Sequence, residues 1–203
     1  MANSHPMKLA FSILLISTVT ALAAADKMVK EEASLSTTHK LAFEHPERFR
    51  FDVVQQPDDA FMPALRFRAF GADGISTLSF KFFASKDDAS VLKTQDEVDA
   101  AVMKMGRSYV EGSVEKTNTV RRIQHKNGAG AYCVFTDASL EGVARLPPGQ
   151  FRYLTLGLVK VGDYVFTVRG YSNSKDDEDH KTMLSILEGL KIEKKDEKSG
   201  KAA

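Results

Sequence analysis

The chain has 203 residues, with 28 lysines and arginines against 27 aspartates and glutamates, one cysteine and no tryptophan. That balance gives no electrostatic case for nucleic acid or an anionic membrane surface as a partner. A lone cysteine excludes an internal disulfide, and a chain of this length buries a sizeable core without one.

Residues 1–25 have the layout of a cleavable export signal. Met7 and Lys8 precede an apolar run over residues 9–19, shorter than the roughly 20 residues a membrane span needs. Ala21-Leu22-Ala23 and Ala23-Ala24-Ala25 both satisfy a small-x-small cleavage pattern, so cutting is expected before Ala24 or Asp26. The cleavage region has no cysteine, which argues against a lipid anchor; a retained N-terminal anchor helix is the alternative. The expected destination is outside the cytoplasm: the periplasm in a Gram-negative host, secretion otherwise. Lys8 is the only charged residue of the signal, so 28 less one leaves 27 basic residues against 27 acidic ones in the remaining chain.

Residues 26–40 are polar without a clear period and predict a flexible lead-in or an edge segment. A single domain is expected over residues 41–192. Phe49, Phe51 and Val53 alternate with Arg48, Arg50 and Asp52, the period of a half-buried strand. Leu65, Phe67 and Ala69 alternate with Arg66 and Arg68 in the same way. Gly71-Ala72-Asp73-Gly74 supplies a turn into a third strand over residues 76–84, with Leu78, Phe80 and Phe82 on one face.

Thr94-Gln95-Asp96-Glu97 fits a capping box and opens a helix. Val98, Ala101, Val102, Met105 and Tyr109 form its apolar stripe, and Gly112 is the expected stop. Residues 114–125 are rich in β-branched side chains and predict a strand. Asn127-Gly128 marks a hairpin turn into a return strand over residues 131–137. Two further strands, over 151–161 and 164–171, join tightly at Gly162-Asp163; the first is apolar on both faces, as a central strand would be. A last helix starts near Ser174 with Asp176, Asp177, Glu178 and Asp179 in its first turn and Met183, Leu184, Leu187 and Leu190 as its buried stripe. Residues 193–203 predict a charged, disordered tail.

This order predicts an α+β domain: one largely antiparallel sheet of about six or seven strands with helices packed on it. The helix opened by Thr94-Gln95-Asp96-Glu97-Val98, the segment Gly162-Asp163-Tyr164-Val165-Phe166-Thr167-Val168 and the closing helix at Met183-Leu184-Ser185-Ile186-Leu187, on an exported chain, resemble the PsbP-like group. That group includes the DcrB-type periplasmic proteins and the PsbP subunits of photosystem II. The resemblance covers about residues 41–192 and implies an antiparallel sheet between helices, an α-β-α sandwich. It brings no catalytic motif, so no functional residue is carried over.

The chain holds no recognisable cofactor or metal motif. Gly128-Ala129-Gly130 precedes a strand where a phosphate-cradling loop would precede a helix. His39, His45, His125 and His180 lack the spacing of a metal-binding helix. The acidic run 176–179 lacks the alternation and glycine of a calcium loop and reads as a solvated helix start, and Asp58-Asp59 and Asp87-Asp88 as turns. Cys133 lies in the strand-like run Ala131-Tyr132-Cys133-Val134-Phe135 and reads as a buried thiol, with His125 the nearest histidine in sequence. The densest basic group is Arg121, Arg122, His125 and Lys126. As neighbours on a strand, Arg121 and Arg122 point to opposite faces, which leaves Arg121, His125 and Lys126 as candidates for an anion site. Phe80, Phe82 and Phe83 are either core or the lining of a ligand pocket.

The functional expectation is an exported, non-enzymatic accessory or binding protein with an envelope protein as partner. The alternative is a carrier of a small apolar or amphipathic ligand, and after it a hydrolase using Cys133 or a histidine.

Overall fold

A computed structural model describes residues 26–54, 64–71, 74–85, 92–174 and 178–195. The export signal, Asp58-Asp59, Asp87-Asp88, Asp176-Asp177 and the end of the tail lie outside these residues.

The strands are β1 (Met28–Ser34), β2 (His39–Pro46), β3 (Arg50–Val54), β4 (Ala64–Phe70), β5 (Ser76–Ser85), β6 (Arg121–Ile123), β7 (Gly128–Thr136), β8 (Tyr153–Val161), β9 (Tyr164–Ser172) and β10 (Lys191–Lys194). The helices are α1 (Gln95–Val110) and α2 (Glu178–Glu188). Seven strands form one antiparallel sheet in the order β3-β4-β5-β9-β8-β7-β6. The expected α+β architecture is therefore present, with α1 on one face and α2 on the other. A second, three-stranded sheet, β1-β2-β10, joins α2 on its side.

Strand alternation builds the first core. Leu65, Phe67, Leu78, Phe80, Phe82, Val159, Phe166 and Val168 point toward α2 and the small sheet, where Leu41, Phe43, Met183 and Leu187 meet them. The opposite positions of β7, β8 and β9, including Ala131, Cys133, Phe135, Leu156, Leu158 and Val165, meet Val98 and Val102 of α1. β8 is covered on both faces, as its unbroken apolar run requires. The phenylalanine alternatives resolve by face: Phe80 and Phe82 are fully buried core, whereas Phe83 is half-buried on the other side.

α1 begins with the expected capping box. The Glu97 N–H donates to Thr94 Oγ1 at 3.2 Å, and the Glu97 carboxylate accepts from the Thr94 N–H at 2.8 Å. Gln95 then ties the helix to the sheet, its amide both donating to the Gly130 carbonyl and accepting from the Gly130 N–H.

Several segments differ from expectation. Of the two readings of residues 26–40, a flexible lead-in or an edge segment, residues 28–34 take the second: β1 is an edge strand that pairs with β2 along its whole length, and Ala33 and Leu35 are buried. Residues 193 and 194, expected in the tail, belong to β10, which pairs with β2. Over residues 114–125 only Arg121–Ile123 is strand. There the chain turns at Lys116 (φ 50), whose N–H donates to the Ser113 hydroxyl, and Asn118 donates to the Met103 carbonyl of α1, so its polar groups bond locally instead of to a ladder. The strand after Asn127 starts early, because Gly128 already pairs with Val161; a Cβ there would sit 1.9 Å from the Lys160 carbonyl oxygen.

Candidate functional site

The three anion-site candidates lie around the short edge strand β6 and the turn after it. Arg121 and Lys126 are exposed. His125 is half-buried and engaged at both ring nitrogens: Asn127 N–H donates to Nδ1 at 3.2 Å, which leaves Nε2 to donate to the Leu190 carbonyl at 3.0 Å. That histidine fastens the β6–β7 turn to the end of α2. Arg122, on the opposite face from Arg121, pairs with Asp99 (2.8 Å) and Asp96 (3.0 Å) of α1. Asp99 and then Asp96 push its pKa further up.

Cys133 is fully buried against α1, and burial pushes its thiol from 9.0 to about 11. A thiol held protonated is a poor nucleophile, and His125 bonds to the α2 end on the other side of the sheet. His180 is buried at the start of α2, with Nε2 3.0 Å from the Thr155 hydroxyl and its ring against Phe80 and Tyr132. His45 is buried among Phe43, Phe51 and Phe67; Nδ1 donates to the Pro46 carbonyl, and Nε2 has no hydrogen-bond partner. Among the described residues no group of three or more His, Cys, Asp or Glu side chains could hold a metal ion, and no described helix is long and apolar enough to cross a membrane.

Two clefts have distinct characters. One of about 440 Å³ runs between β1 and α2 and is lined by Glu31, Glu44, Phe43, Ile186 and Lys191 among others. The other, about 300 Å³, opens at the C-terminal end of α1 and is aromatic: Tyr109, Phe135, Phe151, Leu154 and Tyr171 line it together with Arg152. The Arg152 Nε is shielded from solvent and has no hydrogen-bond partner.

A third candidate surface lies on the large sheet itself. α1 packs on β7 and β8, and no described helix packs across β3, β4 and β5 on that side. The positions that face outward there are Arg50 and Asp52 on β3, Arg66, Arg68 and Phe70 on β4, Ser79, Lys81 and Phe83 on β5, and Thr167, Arg169 and Tyr171 on β9. All are half-buried or exposed. Asp52 accepts from Arg66 Nε at 2.9 Å and Arg68 Nη2 at 3.2 Å. Burial alone would raise its carboxyl pKa, but the Arg66 and Arg68 guanidiniums outweigh that and hold it below the ordinary value. The Arg50 and Arg68 guanidiniums lie over the Phe70 ring, 4.6 and 5.6 Å from its centroid.

Sequence reasoning missed this face as a unit. Arg66, Arg68 and Lys81 were visible as the polar half of an alternation, but only strand pairing brings them beside Arg169.

No family model matches the chain, and no curated protein does. Among solved structures it is similar to the cyanobacterial PsbP (CyanoP) from Synechocystis sp. PCC 6803, at a TM-score of 0.45 and 9% identity, over 88% of this chain and 99% of that one. It is also similar to a Bacteroides thetaiotaomicron protein, at a TM-score of 0.38 and 12% identity, over 77% of this chain and 46% of that one. The chain thus spans under half the length of the Bacteroides protein. At these scores and identities neither likeness assigns an activity.

Proposed function

We propose that this chain is an exported, non-catalytic accessory protein that binds a protein of the cell envelope. The carrying observation is the half of the large sheet that no described helix covers, a polar and aromatic surface four strands wide beside a fully packed core. Three groups that could do covalent or proton chemistry are otherwise engaged: burial raises the pKa of the Cys133 thiol, His125 bonds main chain on both sides, and His180 is packed into the core. The export part of the reading rests on the charged start, apolar run and small-residue end of residues 1–25.

Photo-cross-linking in the native host tests the binding role. A cross-linking side chain at Ser79, on the open face, is expected to give one discrete protein adduct, and the same probe at exposed Lys104 on α1 is not. No adduct from Ser79 overturns the reading. Sequencing the N-terminus of the same preparation is expected to begin at Ala24 or Asp26, and an unprocessed chain in the cytoplasm removes the export claim.

The aromatic cleft supports the second reading, a carrier of a small amphipathic ligand, because it pairs an apolar lining with Arg152. Native mass spectrometry of protein from its own host then shows added mass that a Tyr171→Ala variant loses; a bare mass in both removes this alternative.

A further inference from the structure

The register of the large sheet lines up charges that the sequence scatters. Asp52 is opposite Arg66, Arg66 opposite Lys81, and Lys81 opposite Arg169, so one row runs straight across β3, β4, β5 and β9. The adjacent row on the same face is Arg50, Arg68, Ser79 and Tyr171. With strands about 4.8 Å apart, four strands place these two rows in a patch about 14 Å wide. It carries five cations and a single carboxylate, in a chain whose overall charge is only +1.

Like charges directly opposite on neighbouring strands destabilise a sheet. Lys81 has one on each side. Asp52 relieves Arg66 and Arg68, and the Phe70 ring shelters Arg50 and Arg68, but among the described residues no carboxylate lies within ion-pair distance of Lys81 or Arg169. The row is therefore electrostatically unfinished where it is most accessible, since Arg169 is exposed. An anion over Lys81 and Arg169 would complete the alternation that Asp52 begins.

We propose that this basic sheet face is the docking surface, and that its occupant is an acidic polypeptide segment of the partner protein. The inference rests on the accessory reading above and adds the chemistry of the partner. Shape selects a polypeptide over a membrane. α1 covers the neighbouring half of the same face and stands about 10 Å above the sheet, so the patch is a shelf beside a helix and a flat bilayer resting on α1 would not reach it. Single-stranded nucleic acid would need a run of open aromatic faces for its bases, but the Phe70 ring is covered by two guanidiniums and the Tyr171 ring packs against Phe151, which leaves Phe83 alone. An acidic segment needs neither flatness nor stacking. Carboxylates on one side of an extended strand or a helix recur every 5–7 Å, close to the spacing of the cations.

The test is fluorescence anisotropy with a labelled polyglutamate peptide at low ionic strength. Saturable binding that weakens with added salt is expected. Lys81→Glu is expected to weaken it by about tenfold or more, and Arg169→Gln by a smaller factor. Lys194→Glu makes the same change in net charge at an exposed position of β10, in the small sheet on the far side of the large one, and is expected to leave the affinity within about twofold. Absence of saturable binding overturns the inference. So does an equal loss in Lys194→Glu, which would mean that only net charge matters, and so does preferred binding of phosphatidylglycerol vesicles or oligothymidylate. Lys81→Gln repeats the comparison if the Glu variant does not fold. The two readings separate cleanly. A partner cross-linked through Ser79 that is retained by Lys81→Glu leaves the accessory role standing and removes the acidic segment. Polyglutamate binding as expected, with no adduct at Ser79, does the reverse.

Discussion

Asp52 shows how one side chain ties the open face to stability. Its carboxylate accepts from both Arg66 and Arg68, and their charges depress its pKa despite partial burial. A depressed pKa means that the folded state favours the ionised form. The resulting stabilisation is present in full above the ordinary carboxyl pKa of 3.8 and is lost as pH falls through the lower folded value. The side chain is 31% exposed, so solvent screening keeps the effect small, below about 1 kcal/mol. Asp52→Asn is therefore expected to lower the urea midpoint slightly at pH 7. The gap between parent and variant narrows progressively below about pH 4 as Asp52 protonates in the parent. Urea unfolding of both proteins at several pH values checks this, and a gap that stays constant into acid would show that the pairing is not what depresses the pKa.

At the scale of elements, glycines on the large sheet shape the seat of α2. Phe80 is paired with Gly170, and Gly170 with Thr155, so a large ring, an empty position and a hydroxyl follow one another across β5, β9 and β8. The Phe80 ring folds over the gap, and His180 at the start of α2 meets both Phe80 and the Thr155 hydroxyl. A Cβ on Gly170 would lie 2.4–2.6 Å from three ring carbons of Phe80. Gly170→Ala must displace that ring against His180 and is expected to cost about 1–3 kcal/mol, read as a lower urea midpoint with an unchanged slope. Gly74→Ala is no clean control, because Gly74 has φ 75, a left-handed conformation that strains any side chain. Much of this level was legible in the sequence. Alternation at Leu65, Phe67, Leu78, Phe80 and Phe82 is a local signal, and so is the Thr94–Glu97 box. β1 was not legible as a regular strand, because Glu31 occupies the position opposite Phe43 where an apolar residue would have completed the pattern. β10 was hidden by its charges, and its strand state comes from the β2 backbone it pairs with. The basic row was illegible for a different reason: Arg66, Lys81 and Arg169 are far apart in sequence, and only the register makes them neighbours.

At the scale of the molecule, nearly balanced charge conceals a segregated surface. α1 shields one half of the sheet face, and the other half gathers five cations around Asp52. If the face is arranged for an absent anion, the isolated protein bears an electrostatic strain that a substitution can relieve. Lys81→Glu replaces the cation between Arg66 and Arg169 with an anion, turning two repulsive cross-strand pairs into two attractive ones. The variant is expected to be more stable than the parent by about 0.5 kcal/mol at low salt, within the range of a favourable cross-strand charge pair. The gain should shrink at about 1 M salt, where the screening length is about 3 Å, shorter than the strand spacing. Urea midpoints at low and high salt measure both effects. A substitution that stabilises the fold while weakening polyglutamate binding separates a functional surface from a structural one. If Lys81→Glu instead lowers the midpoint at low salt, the row is not strained in the free protein, and the argument that it awaits an acidic partner loses its physical basis.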